Sequence, residues 1–268
     1  MTATDTIFAG SIPAIYDQYM VPLVFAPYAR VVAERAALLH PRRILETAAG
    51  TGVVTEQLHR ALPEAEIIAT DLSAPMLEQA ASRLSASNVR FRPADAQSLP
   101  FESASFDLVV CQFGLMFVPD KVRANSEAHR VLRDGGRYML VIWDRIEHNF
   151  ATMAAGRAVA ELFPVEAARF YERVPFRYHD VGLIEHDLLA GGFTDVEFET
   201  VELRSRAPSA REAAIALVQG TPMRSDIEQI DPAMLGRATD AAAEALRQFE
   251  GPDGFDAPMS ARLVTAIR

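Results

Sequence analysis

The stretch ILETAAGTG, residues 44–52, decides how this chain should be read. The apolar pair Ile44–Leu45 runs into an acid, Glu46, and then into a turn of small residues closed by Gly50 and Gly52. A strand that ends on a carboxylate and empties into a loop with almost no side chains is making room for something. Glycine permits backbone conformations closed to other residues and lets another molecule approach the main chain. In a sheet wound from alternating strands and helices, ligands sit at the carboxyl ends of the strands, near the point where the strand order reverses.

Working outward, residues 29–144 alternate helix and strand with little waste. ARVVAERAALLH reads as a helix stopped by Pro41, and RRILET as a short strand. Beyond the glycines, Val54, Leu58, Ala61 and Leu62 recur on one helix face that ends at Pro63. EIIATD is a second strand, after which Ser73 is the expected cap of APMLEQAASRLS. NVRFRPAD and FDLVVCQF are the third and fourth strands. Pro119 opens a helix with Ala124, Ala128, Val131 and Leu132 facing inward, Asp134-Gly135-Gly136 ends it, and RYMLVIWD is the fifth strand. Residues 145–181 carry no strand pattern and read as a helical insertion. IEHDLLAGGF is a helix, DVEFETVELRS a strand with one wet face, 209–250 an Ala-rich helical stretch, and SARLVTAIR a last strand. The expectation is an α/β, doubly wound, mostly parallel seven-stranded sheet of Rossmann-like type, forming one domain over residues 1–268. Within it, 1–28 is an N-terminal cover, 29–144 the ligand-binding core, and 145–181 with 205–255 helical insertions that form a substrate lid.

Composition bounds the function. The chain has 268 residues, half of them hydrophobic and 23% charged, which is ample for a buried core. Its net charge of −10 and pI near 5.1 argue against coating a nucleic acid, which needs many phosphates neutralised by Lys and Arg. One cysteine, Cys111, excludes an internal disulfide and a multi-cysteine metal site, and no metal is expected. MTATDTIFAG has no basic stretch followed by an apolar one, so no secretory leader is expected. No run approaches the roughly 18 apolar residues of a membrane span. These features point to a cytoplasmic protein with a small-molecule substrate.

The strand ends carry the chemistry: Glu46, Asp71, Asp95 and the pair Gln112-Phe113. Three acids there suit a pyrophosphate poorly. A dinucleotide loop also wants a third glycine leading into its helix, and Thr55 stands at that place. A sulfonium compound with a free amino group fits carboxylates far better. The E-x-A-x-G-x-G run at Glu46, Ala48, Gly50 and Gly52, with ATDLSAPML, ADAQSLPF, FDLVVCQFGLMFVPD and EAHRVLRDGGRYMLVIW following in order, resembles the class I S-adenosylmethionine-dependent methyltransferases. The nearest resemblance is to the group related to ubiquinone/menaquinone-biosynthesis C-methyltransferases. Ala48 departs from the usual first glycine.

The resemblance implies S-adenosylmethionine as cofactor and a role for each matching residue. Glu46 would meet the methionine amino group, and Ala48, Gly50 and Gly52 would let the backbone approach the methionine and ribose. Asp71 would accept from both ribose hydroxyls, and Leu72 and Met76 would pack on the adenine. Asp95 would take the adenine amino group and the Ala96 backbone a ring nitrogen, while the Gln112 carbonyl would complete the amino-group site. Each has a plainer role as well: Asp71 as a cap, Asp95 as a turn former, Met76 and Cys111 as core. His129 reads as a surface residue, and Trp143 as either site wall or packing.

Methyl transfer from a sulfonium needs alignment and exclusion of water more than a protein nucleophile. His148 and His179 are candidate bases, and Tyr16 is a candidate to close over the methionine end. Gln112-Phe113-Gly114-Leu115 lacks the Asn/Asp-Pro-Pro-aromatic run of enzymes that methylate amino groups of bases or glutamine. Phe113, Met116 and Phe117 are expected near the mouth of the site, and they favour a partly apolar or aromatic acceptor. Two rivals stay open: a non-catalytic S-adenosylmethionine-binding or regulatory protein, and an NAD-dependent oxidoreductase.

Overall fold

Glycine, proline and capping side chains punctuate this chain into short helices and strands. The computed structural model describes residues 12–163 and 169–268. Along the chain run α1 (Ile12–Ile15), a π-helical stretch (Tyr16–Phe25), α2 (Ala26–Ala37), β1 (Arg43–Thr47), α3 (Val53–Ala61), β2 (Glu66–Asp71) and α4 (Ala74–Arg83). Then come β3 (Val89–Pro93), β4 (Phe106–Gln112), α5 (Lys121–Val131), β5 (Leu132–Trp143), α6 (Phe150–Ala160), α7 (Phe170–Arg173) and α8 (Val181–Ala190). β6 (Asp195–Ala207), α9 (Ala210–Gln219), α10 (Met223–Ile230), α11 (Met234–Leu246), β7 (Glu250–Gly251) and β8 (Gly254–Ile267) complete it.

The sheet order is β3-β2-β1-β4-β5-β8-β6, with the two-residue β7 paired to β8. β1 through β5 pair in parallel and β8 returns antiparallel to β5. The order reverses at β1, where β2 lies on one side and β4 on the other, so the carboxyl end of β1 is the switch point. The seven expected strands are therefore the seven of the main path.

Tertiary contacts divide the chain into two units. One comprises residues 28–143, 178–201 and 261–268 and holds β1 to β5 with α2 to α5 and α8. Its core strands read as continuous apolar runs because both faces are covered: Ile44, Leu45, Ile67, Ala69, Leu108, Val109, Val110 and Leu140 are all buried. α5 starts where the Asp120 side chain accepts from the Arg123 N–H, and α8 where Asp180 accepts from Leu183 N–H. The other unit comprises residues 12–27, 144–177 and 202–260 and is mainly helical. There α9 and α11 pack on each other, with Ala213 and Leu217 of α9 and Ala238 and Ala242 of α11 buried. Pro22 lies inside the π-helical stretch, where the Ala26 N–H bonds to Val21 O, five residues back.

Several sequence expectations shift. Ala61 is exposed, and Leu62 lies past the end of α3 and is only half-buried, because the helix stops one residue earlier than the apolar spacing implies. Asp120 rather than Pro119 occupies the cap of α5. That helix ends at Val131, and Asp134-Gly135-Gly136 lies inside β5, where the register with β4 shifts between Phe106 and Leu108. Gly135 takes φ +74° there and donates to Arg268 O at 3.0 Å. The last strand begins at Gly254, six residues before SARLVTAIR. His129 is half-buried: its ring meets Phe193 edge-on at 5.2 Å, and burial pushes its pKa down.

Candidate cofactor site

Glu46 sits in mid-sheet, level with Ala69 on β2 and Val110 on β4, at the switch point. Beyond it the chain turns through three left-handed positions, Ala48 (φ +54°), Gly50 (φ +55°) and Gly52 (φ +81°). Two hydrogen bonds brace the turn: Ala49 N–H to Thr70 O and Gly52 N–H to Ala49 O, each 2.9 Å. A left-handed alanine costs of order 1 kcal/mol, which the neighbouring structure must offset. Gly114 explains how it does so. A Cβ at Gly114 would stand 2.3 Å from the Ala48 Cβ, so the methyl group of Ala48 occupies the space that Gly114 leaves open. Gly52 is needed for a similar reason, since its Cβ would stand 2.9 Å from that of Ala80 on α4. That is helix packing, a role the sequence reading did not give it.

The two strand-end acids are tied to this loop. The Asp71 carboxylate accepts from Gly50 N–H at 2.9 Å and from Ser73 N–H at 2.8 Å, linking the loops that follow β1 and β2. Ser73 occupies the cap position of α4, but its side chain makes no capping bond, so the expected cap is corrected. Burial pushes the Asp71 pKa up, against the backbone N–H groups of Ser73, Gly50 and Leu72. Glu46 is 2% exposed and accepts from the Thr55 hydroxyl at 2.6 Å. Burial pushes its pKa up to about 8; the Thr55 bond opposes this, and the nearby Asp71 charge adds to it. Two acids both raised in this way make a place that favours a cationic group and hydroxyl donors.

Other expected residues fall at the same carboxyl edge. Leu72 follows Asp71 and is 72% exposed, an apolar side chain left open beside that acid. Met76 is 3% exposed and belongs to the core. Asp95 accepts from the backbone N–H of Gln97 at 2.8 Å and from its side-chain amide at 3.1 Å, so it shapes its own turn, with Ala96 within it. Gln112 is buried at the end of β4. Phe113 follows at φ +55°, stacked on Trp143 with centroids 3.9 Å apart and edge-on to Tyr28 at 5.3 Å. Phe113 and Met116 are buried, which corrects their placement at an open mouth; Phe117 is half-buried. Burial pushes the Cys111 thiol up to about 11, as expected of a packed residue.

The catalytic candidates divide between the units: Tyr16 and His148 lie in the helical unit and His179 in the other. Tyr16 stacks on Phe25 at 5.1 Å. His148 Nδ1 lies 2.8 Å from Asp144 Oδ2, which also accepts from the Ser260 hydroxyl at 3.1 Å. Asp144 Oδ1 accepts from Arg145 N–H at 2.8 Å, and the carboxylate is buried. Sequence reading missed Asp144, Ser260, Thr51, Thr55 and Gly114. The one available signal was Thr55 in the third-glycine position, which is informative only once its distance to Glu46 is known.

A parallel sheet that reverses at an acid-tipped β1, a second acid on β2 and a final antiparallel return define the class I methyltransferase fold. Comparison with known proteins agrees. Residues 44–136 match a family described as a methyltransferase domain. The chain is 39% identical over 115 residues to a demethylmenaquinone methyltransferase of Deinococcus radiodurans, covering 42% of this chain and 48% of that protein. It is 35% identical over 141 residues to the ubiquinone/menaquinone biosynthesis C-methyltransferase UbiE of Stutzerimonas stutzeri, covering 51% and 55%. The chain thus spans about half the length of the curated relatives it matches. The solved YcgJ protein of Bacillus subtilis shares the fold, with a TM-score of 0.57 at 20% identity over 90% of this chain and 98% of that one. Residues 44–136 are thus similar to a methyltransferase domain, and about half of the chain is similar to proteins of the UbiE group.

The residues fit S-adenosylmethionine. Glu46 keeps an oxygen beyond the one Thr55 holds, and Thr51 Oγ1, buried in the glycine loop, has no hydrogen-bond partner among the described residues. A buried hydroxyl without a partner costs about 1–3 kcal/mol, a deficit that a polar ligand in the loop would remove.

Proposed function

We propose that the chain transfers a methyl group from S-adenosylmethionine to a small, partly apolar or aromatic metabolite. The observation that carries the proposal is Glu46: a buried carboxyl at the switch point, with a pKa near 8 and one oxygen held by Thr55. Such a group calls for a cationic partner, which the α-amino group of the cofactor provides and a dinucleotide pyrophosphate does not. Glu46 and Gln112 would take the amino group, Asp71 the ribose hydroxyls, Leu72 the adenine ring, and Asp95 and Ala96 its edge. The cofactor supplies a methyl group already activated on a sulfonium. The chain's task is to orient the acceptor, exclude water and, where needed, accept a proton.

The relatives named for quinone biosynthesis support an aromatic acceptor ring methylated at carbon. That reaction releases a proton. We assign its removal to His148, whose Nδ1 is engaged by buried Asp144, so that Nε2 is the acceptor nitrogen. Residues 1–28, 145–181 and 205–255 are proposed to build the substrate cover; residues 1–11 and 164–168 of these segments lie outside the described residues. No helix among the described residues is long and apolar enough to cross a membrane.

The test is calorimetry with S-adenosylhomocysteine and NAD side by side, followed by a labelled-methyl screen over quinols, phenols, thiols and amines with products identified by mass. Binding of S-adenosylhomocysteine alone and transfer to an aromatic ring are expected. Binding without transfer to any acceptor would favour the non-catalytic alternative, and preference for NAD would refute the assignment.

A further inference from the structure

We propose that Thr55 is a positioning residue of the cofactor site: it holds one oxygen of Glu46 so that the other is reserved for an α-amino group, making the site selective for ligands that carry one. The proposal rests on the cofactor assignment above and extends it to a residue outside the glycine loop.

The geometry is specific. Thr55 stands in the first turn of α3 and is fully buried, and its hydroxyl lies 2.6 Å from Glu46 Oε2. A threonine inside a helix ordinarily returns its hydroxyl proton to a carbonyl three or four residues back. Here that proton is given instead to a side chain on the neighbouring strand. A carboxylate has about four acceptor sites on two oxygens. With Oε2 engaged the carboxyl plane is set, and Oε1 is left for a ligand.

The backbone supports the same arrangement from two sides. Gly52 at φ +81° opens α3 and its carbonyl accepts the Glu56 N–H at 2.9 Å, fixing the turn that carries Thr55. The Thr70 hydroxyl donates to the Glu46 carbonyl at 2.9 Å, fixing the strand that carries the acid. The groups facing Glu46 are Thr55 from α3, Thr70 and Asp71 from β2, and Cys111 from β4. None of them is cationic, so the hydroxyl is the internal group that favours the ionised carboxylate. A valine of the same shape would keep the packing and lose the orientation.

The experiment measures affinities of the wild type, Thr55→Val and Thr55→Ser for two ligands by calorimetry. S-adenosylhomocysteine carries the amino acid; 5′-methylthioadenosine has the same adenosine and thioether without it. We expect Thr55→Val to weaken S-adenosylhomocysteine about tenfold, as for loss of a bond to a charged group. 5′-Methylthioadenosine affinity should be unchanged, and Thr55→Ser should restore most of the loss. The pH below which S-adenosylhomocysteine affinity declines should also move upward in Thr55→Val. Equal weakening of both ligands, or of neither, would overturn the proposal. Unchanged 5′-methylthioadenosine binding doubles as the check that the variant is folded. A wild-type protein that binds neither ligand refutes the cofactor assignment itself, an outcome distinct from either result with the variants.

Discussion

Replacing Glu46 by glutamine should make the ligand-free protein more stable, and increasingly so as pH rises. The Glu46 carboxyl lies near pKa 8 in the folded chain against 4.5 for the free group, chiefly because burial disfavours its charge. A folded pKa above the unfolded one means the native state binds the proton more tightly. The stability linked to this proton is therefore fully present below pH 4.5 and is lost as pH rises through 8. Across the 3.5 units between these values, at about 1.4 kcal/mol per unit, wild type loses about 5 kcal/mol relative to the glutamine variant. That figure is an upper bound, because a buried carboxylate recruits water and rearranges. Trp143, the single tryptophan and the last residue of β5, provides the signal for urea unfolding of this unit between pH 5 and 9. The midpoints of the two proteins should diverge with pH and become parallel above about 8. Saturating S-adenosylhomocysteine should remove most of the wild-type decline and little of anything in the variant. Parallel profiles over the whole range would refute the argument that Glu46 is a buried acid awaiting a cation.

Asp71→Asn removes the charge that would accept from the ribose and that already receives the Gly50 and Ser73 N–H groups. A loss of at least about tenfold in S-adenosylhomocysteine affinity is expected, with a stability cost of about 1–2 kcal/mol; unchanged affinity in calorimetry would remove Asp71 from the site. Gly114→Ala brings two Cβ atoms to 2.3 Å and should destabilise by about 1–3 kcal/mol. Adding Ala48→Gly should recover much of this, a coupling that a double-mutant cycle in urea detects and that additive behaviour would disprove. Deleting residues 1–20 tests the proposed substrate cover: a retained thermal transition with methyl transfer lost supports it, whereas full activity argues against it.

The alternation of apolar runs with capped helices was enough to read an α/β, mostly parallel sheet, because strands buried on both faces and helices buried on one leave different periodicities in a single sequence. The same logic placed Glu46 and Asp71 at strand ends, since each acid interrupts an apolar run just before a turn. Local pattern did not decide where elements stop or what side chains touch across the fold. Ala61 and Leu62 continue the apolar spacing, yet α3 ends between them. Ser73 looks like a cap, yet its side chain makes no capping bond and its own amide donates to Asp71 from the preceding strand. His129 reads as surface until Phe193, sixty-four positions later in the chain, closes on it at 5.2 Å. Ala48 in place of a glycine becomes intelligible only beside Gly114, and Thr55 only beside Glu46, because van der Waals exclusion and hydrogen bonding act over a few ångströms of space and not along the chain. Composition and periodicity thus settled which residues could be buried, and tertiary structure decided which buried groups face one another.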